Sequence, residues 1–328
     1  MKLLILSHND VVELLPMTEC IAVMGEALSA LARDQFSLPL RTIFKPSEVK
    51  GVLAMMPAFR AGERPVFGLK AICVFPGNAA IDKDAHQGGV LLFSGETGEL
   101  LAIVNASAIT LIRTAAVSAV ATRSLARADA GELAIIGAGI QARSHLEAMA
   151  CVRSIKRARI ASSRFDSARR FADEMQARCT FPLEAVESPE AAVRGADLIV
   201  TATTAREPVI KREWISPGAH INAIGTYSPA AREIDTATML AAMLFVDRRE
   251  SALNEAGDYL LAAKEGAIGP EHIRAELGEV LIGGAPGRTS PDEITIFKSL
   301  GLAIEDLAAA EHVYRKAQRE GAGSWVEF

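Results

Sequence analysis

Aromatic residues are scarce in this chain, at 5% of 328 positions, and there are four cysteines, Cys20, Cys73, Cys151 and Cys179. No two cysteines stand at a C-x-x-C spacing, which argues against a zinc knot or a dithiol redox pair. They read as small buried hydrophobes of a reducing compartment. A basic surplus is also missing. Thirty-five Lys and Arg stand against forty Asp and Glu, a formal charge of -5. With no excess cation to neutralise phosphates, nucleic acid is not the expected partner. Long hydrophobic runs are absent too. The longest uncharged stretches, such as residues 100–112, carry Asn and Ser and fall short of the roughly 18 apolar residues of a membrane span. Residues 1–10 hold an apolar run without a small-residue cleavage site, so they read as a first strand and not as a signal peptide. These absences point to a cytoplasmic protein with a small-molecule partner.

Half of the chain is apolar, and its length is about twice that of a typical domain, so two domains with a sizeable core are expected. Asp10 is positioned to cap a helix through Leu15, and Thr18 to open the next. Strand-like runs follow at 51–56, 66–75, 89–94 and 100–104, the last two joined as a hairpin through Glu96-Thr97-Gly98-Glu99. This part reads as α+β around an antiparallel or mixed sheet. From residue 108 the pattern changes. Helices at 108–125, 140–150 and 166–177 alternate with short apolar strands at 132–136, 157–161, 197–201, 220–224 and 244–246. That alternation predicts a doubly wound parallel sheet. Ser290-Pro291-Asp292-Glu293 has the form of a capping box and predicts a helix over 294–317 that packs back on the first domain. The expected division is residues 1–115, completed by 300–328, around an inserted dinucleotide-binding domain of residues 116–299.

The strand 132–136 runs into Gly137-Ala138-Gly139-Ile140-Gln141-Ala142. Gly137 permits a tight turn, Gly139 lets backbone approach a pyrophosphate, and Ala142 lets the helix pack close to the strand. Amides at the helix start, at Ile140 and Gln141, then face the phosphates. The second strand ends in Ser162-Ser163-Arg164, with no acid until Asp166. An acid there would select NAD, whereas hydroxyls and a guanidinium suit a 2′-phosphate. The cofactor is therefore NAD(P), with a lean toward NADP.

Arg41, Lys70 and Arg113 lie in apolar or strand settings. Lys70 interrupts a run that otherwise reads as a buried strand, so its charge needs a partner or a ligand. One such cation would suggest a salt bridge to an acid elsewhere; three favour an anionic ligand such as an α-carboxylate. His145 and His220 read as structural. His86 precedes a strand in a polar loop and is a candidate for the site.

These segments together resemble the ornithine cyclodeaminase/μ-crystallin family. The resemblance is carried by Pro39-Leu40-Arg41, Gly68-Leu69-Lys70, His86-Gln87-Gly88, Ile112-Arg113-Thr114, the glycine turn, Ile221-Asn222-Ala223-Ile224-Gly225 and the run from Ala285 to Ser299. It implies an α/β fold, a Rossmann-type dinucleotide-binding domain inserted in an α+β substrate and dimerisation domain, and a homodimer. It also implies that Arg41, Lys70 and Arg113 hold a substrate carboxylate, with Lys70 available for proton transfer. Thr114, the glycine turn, Thr201, Thr203 and Gly225 would contact the cofactor. Two departures bear on the reaction. Ornithine-acting members carry a Glu where this chain has Ala54. Cyclodeaminases carry an Asp where it has Tyr227. Both changes remove anions that would serve an amine substrate and point toward an NAD(P)H-dependent reductase of an α-imino carboxylate. Tyr227 or Ser228 would relay a proton, and Arg206 or Arg232 would meet a second carboxylate. A cyclodeaminase, an amino-acid dehydrogenase and a non-catalytic NADP and ligand-binding protein remain the alternatives.

Overall fold

The computed structural model describes residues 2–81 and 83–328; Met1, at the head of the expected first strand, lies outside them. The chain divides into two compact units, Met1–Thr114 with Gly301–Phe328, and Ala115–Leu300. The fold class is the one expected, mixed α/β, with one mixed and one parallel sheet.

The first unit is built on an eight-stranded sheet. Its order runs Ser324–Glu327, Lys2–Leu6, Leu100–Asn105, His86–Ser94, Val66–Val74, Val52–Arg60, Phe36–Ser37, and Thr42–Phe44 also pairs with Val52–Arg60. Lys2–Leu6 runs parallel to Leu100–Asn105; the other pairs are antiparallel. Side chains alternate between two faces. One cross-strand row is Met56, Lys70, Val90 and Val104, and these are buried. The next row, on the opposite face, is Pro57, Leu69, Leu91 and Ile103. The helix Ala303–Glu320 packs on the buried face. It comes so close that a Cβ on Gly68 would sit 2.8 Å from Leu307 Cδ1 and 3.1 Å from its Cβ, so any larger residue there would make Leu307 shift.

The second unit carries eight parallel strands in the order Leu183–Ala185, Arg157–Ala161, Glu132–Ile136, Leu198–Thr201, His220–Ala223, Thr295–Lys298, Met243–Val246, Ile273–Glu276. From Glu132–Ile136 the chain adds strands first on one side and then on the other. The switch point lies between Glu132–Ile136 and Leu198–Thr201, the place where doubly wound sheets bind ligands at the carboxyl ends of their strands.

Three sequence expectations about these elements need correction. The smallest concerns the second helix: Met17–Leu31 follows Pro16 and starts one residue before Thr18. Asp10 does not cap the first helix. Ser7 caps His8–Leu14, and Asp10 completes the capping box from the third position. The larger correction concerns residues 290–317. Ser290 to Glu293 opens no helix; Thr295–Lys298 is a fully buried strand of the parallel sheet. A short run buried on both faces has no period that separates strand from helix. The helix begins at Ala303, after Gly301 turns the chain at φ +77°.

Candidate active site and dinucleotide edge

In the parallel-sheet unit, Gly137 has φ +120°, and a Cβ there would lie 2.4 Å from the Ala202 carbonyl oxygen. Glycine is thus dictated by the fold itself. Gly139 is different. It caps the helix Ile140–Val152 with ordinary extended φ, and a Cβ on it would meet nothing within 4 Å. Nothing among the described residues demands that this position be bare, which fits a backbone left open to a phosphate. Ile140 and Gln141 open that helix, and the dipole of a helix favours an anion beside its first turn. Ala142 is fully buried, as close helix packing requires. These residues fit a dinucleotide pyrophosphate. Ser162, Ser163 and Arg164 follow the second strand, and Ser163 and Arg164 are exposed.

The carboxyl ends of the next strands are tied by a residue that sequence reasoning missed. Glu233 is fully buried. It accepts from the Thr201 hydroxyl at 2.9 Å, the Thr203 amide at 2.8 Å, the Thr203 hydroxyl at 2.7 Å and the Gly225 amide at 2.7 Å. Burial pushes its carboxyl pKa up, against the charge of Lys298 and the hydrogen bonds from Thr203. Behind it, Asp258 accepts the Glu233 and Ile234 amides and pairs with Lys298 at 2.9 Å. Lys298 also donates to the Thr226 carbonyl at 2.7 Å. The hydroxyls of Thr201 and Thr203 are therefore turned into the protein toward Glu233. Tyr227, next in the loop, is 49% exposed. The available signal was Lys298, a lone cation in an apolar run, like Lys70.

In the first unit the structure brings the three singled-out cations together. Lys70 Nζ donates to Asp306 Oδ1 at 3.0 Å and to Thr110 Oγ1 at 2.6 Å. Arg113 Nε donates to the same Asp306 oxygen at 3.0 Å, and its Nη1 meets Glu305 at 2.7 Å. Arg41 donates to the Gly301 carbonyl at 2.9 Å. Arg113 in turn lies against Gly301, where a Cβ would fall 2.5 Å from its Nη1. Lys70, Arg113, Glu305 and Asp306 are all buried. Burial pulls the Lys70 pKa down to about 8, with Asp306 pulling it back up and Arg113 and Arg41 adding to the fall. Burial would raise Asp306, but Arg113 and Lys70 outweigh it and hold the carboxyl below its ordinary value. Acid partners for Lys70 and Arg113 were the alternative left open by the sequence, and both acids lie on the C-terminal helix. Thr114 donates its hydroxyl back to the Thr110 carbonyl at 2.7 Å.

Other candidates are placed elsewhere. His86 is the first residue of the strand His86–Ser94, not a loop residue, and its pKa is lowered by burial and then by the Lys70 charge. Arg232 is held by Glu265 at 2.9 Å and by the Thr236 hydroxyl, and Arg206 is exposed. Ala54 is buried on the same sheet face as Met56 and Lys70. His145 and His220 are structural, as expected. His145 bonds the Gln141 carbonyl and Ser118; His220 Nδ1 bonds Thr295. Among the described residues, no three His, Cys, Asp or Glu could share a metal, and no helix is long and apolar enough to cross a membrane.

The model of the ornithine cyclodeaminase/mu-crystallin family matches residues 1–321. The chain belongs to that family. It is similar to Δ1-pyrroline-2-carboxylate reductase of Bacillus cereus, 37% identical over 99% of this chain and 100% of the relative. It is 41% identical to ketimine reductase mu-crystallin of Mus musculus over 84% of each. Among solved structures, Thermococcus litoralis Δ1-pyrroline-2-carboxylate reductase, in complex with NADH and L-proline, superposes with a TM-score of 0.94. It is 39% identical and covers 98% of this chain and 99% of its own.

Proposed function

We propose that this family member reduces an α-imino carboxylate to the amino acid with NAD(P)H, and that its substrate carries an apolar side chain, as Δ1-pyrroline-2-carboxylate does. The chain is an oxidoreductase acting on C=N bonds. The observation that carries the finer reading is the convergence of Arg41, Lys70 and Arg113 on the Gly301 and Asp306 corner of the first unit. Two guanidinium forks and an ammonium suit a carboxylate. When bound, the reduced nicotinamide supplies a hydride to the imine carbon. Lys70 supplies a proton to the imine nitrogen, and its pKa of about 8 suits an acid working near neutral pH.

The sheet row around Lys70 supports the apolar side chain. Met56 and Val90 flank it across the strands, and Ala54 lies on the same face. None of these apolar side chains could pair a distal ammonium or a second carboxylate. Arg164 is the proposed contact of a 2′-phosphate. The Pro57, Leu69, Leu91 and Ile103 row is apolar on the face of its sheet opposite Lys70, where a solvated face would be polar. That row supports a homodimer.

The test is a panel of Δ1-pyrroline-2-carboxylate, Δ1-piperideine-2-carboxylate and iminosuccinate, assayed for NADH and NADPH oxidation, with L-ornithine and catalytic NAD as the control. Reduction of a cyclic imino acid, with no ammonia released from ornithine, is the expected result. Steady conversion of ornithine to proline would overturn it.

A further inference from the structure

Lys70, the proposed proton donor, is buried, and a buried ammonium needs a partner to stay charged and aimed. We propose that Asp306 is a positioning residue of the reduction, holding Lys70 charged and directed toward the imine nitrogen while acting through Lys70 and Arg113 and not on the substrate.

Three features carry this. First, one atom, Asp306 Oδ1, accepts from both Lys70 Nζ and Arg113 Nε, each at 3.0 Å. The strand Val66–Val74, the helix Ala106–Leu125 and the helix Ala303–Glu320 thus meet at a single oxygen. A shift of that oxygen moves both cations together. Second, Asp306 sits in the first turn of its helix beside Glu305, where the helix dipole favours an anion. Third, Asp306 Oδ2 is buried and has no hydrogen-bond partner among the described residues. A buried carboxylate oxygen without a donor costs stability. Replacing a buried ion pair with apolar residues of similar volume is often neutral or stabilising, so burial of this pair is weak evidence for a purely stabilising role.

The groups that face Lys70 come from every neighbouring element. Asp306 belongs to the C-terminal helix, Thr110 and Arg113 to the helix Ala106–Leu125, Arg41 to the segment before Thr42–Phe44, and His86 to the adjacent strand, while Glu305 meets Arg113. Arg41 and Arg113 push the ammonium toward its neutral form, as burial does; Asp306 opposes all three. Without the Asp306 charge, Lys70 would lose its proton at lower pH.

The inference rests on the imine-reductase reading, and its step balances as follows. The C=N bond becomes a C–N single bond as the carbon takes a hydride from a reduced nicotinamide dinucleotide. The nitrogen takes a proton from Lys70 Nζ. Lys70 is left neutral and recovers a proton from water.

The experiment is the pH dependence of kcat/KM for Δ1-pyrroline-2-carboxylate with NADH, in wild type, Asp306→Asn and Asp306→Glu. The substrate's own titration is common to all three and cancels in the comparison. Asp306→Asn is expected to move the alkaline limb down by about one pH unit or more. Asp306→Glu keeps the charge but misplaces it, so its limb should stay while kcat falls about tenfold or more. Melting curves and NADH binding check folding. If Asp306→Asn does not fold, the Asp306→Glu result decides. An unmoved limb in Asp306→Asn, or wild-type kcat in Asp306→Glu, would overturn the proposal alone. Absence of turnover by wild type on every imino acid would overturn the reading beneath it, and the proposal with it.

Discussion

The Glu233 carboxylate accepts the Gly225 amide at 2.7 Å through one oxygen, and a Cβ on Gly225 would lie 2.4 Å from the other. The acid and the glycine therefore define each other: the loop after His220–Ala223 can approach only as bare backbone, and the acid holds it there. Glu233→Gln would turn an amide NH2 toward N–H donors at Thr203 or Gly225. Leaving a buried donor unmatched costs about 1–3 kcal/mol. The expected outcome is a lower Tm together with NADH affinity weakened about tenfold, read by thermal melting and titration calorimetry. Unchanged binding would remove Glu233 from the cofactor edge.

The two glycines of the turn should behave differently. Gly137→Ala forces a Cβ against the Ala202 carbonyl at φ +120°, so it should destabilise the protein. Gly139→Ala meets no protein atom within 4 Å, so Tm should hold. If a pyrophosphate lies against that backbone, the added methyl should cost about tenfold or more in NADH affinity. A Gly139→Ala variant that binds NADH normally would place the phosphates elsewhere.

Arg164→Ala addresses cofactor choice. A charge-assisted contact to a 2′-phosphate contributes about 1.5–3 kcal/mol, or roughly ten- to a hundredfold. NADPH should weaken by that factor while NADH is nearly unaffected. Equal small effects on both cofactors would make Arg164 an ordinary surface residue.

Stability should fall on mild acidification. Burial depresses His145 to about 4 and His220 to about 3 in the folded protein, against about 6.5 when unfolded. Below about pH 6.5 the unfolded chain takes up protons that the folded chain refuses. Stability is thus complete above that pH and is lost as pH drops toward 4, at about 1.4 kcal/mol per unit for each histidine. Urea unfolding at about pH 7 and about pH 5 measures the slope, and His145→Gln should make it shallower.

The local features of this site were legible in the sequence, and the distant ones were not. Gly137, Gly139 and Ala142 declare themselves by spacing after a strand. Lys70 and Arg113 stand out because a charge in an apolar run is costly. Their partners could not be read, since Glu305 and Asp306 lie about two hundred residues away and look like an ordinary acidic first turn of a helix. Glu233 was missed for the same reason: Arg232-Glu233-Ile234-Asp235 reads as a solvated loop until the fold closes over it. Thr295–Lys298 was mistaken for helix because burial on both faces erases the alternation that marks a strand.

The first unit is made of two pieces of chain separated by the whole of the second. On a ribosome, Lys70 and Arg113 emerge long before Glu305 and Asp306 exist to pair with them. The middle strands of the mixed sheet, Val52–Arg60, Val66–Val74 and His86–Ser94, wait for the helix Ala303–Glu320 to pack on them. Until that stretch is synthesised Lys70 lacks Asp306, Arg113 lacks Glu305, Gly68 lacks Leu307 against it, and Arg41 lacks the Gly301 carbonyl. The parallel-sheet unit is continuous and can close as soon as Leu300 has left the tunnel. Vectorial synthesis therefore offers an order of assembly: the parallel-sheet unit can close before the mixed sheet has received its second piece of chain.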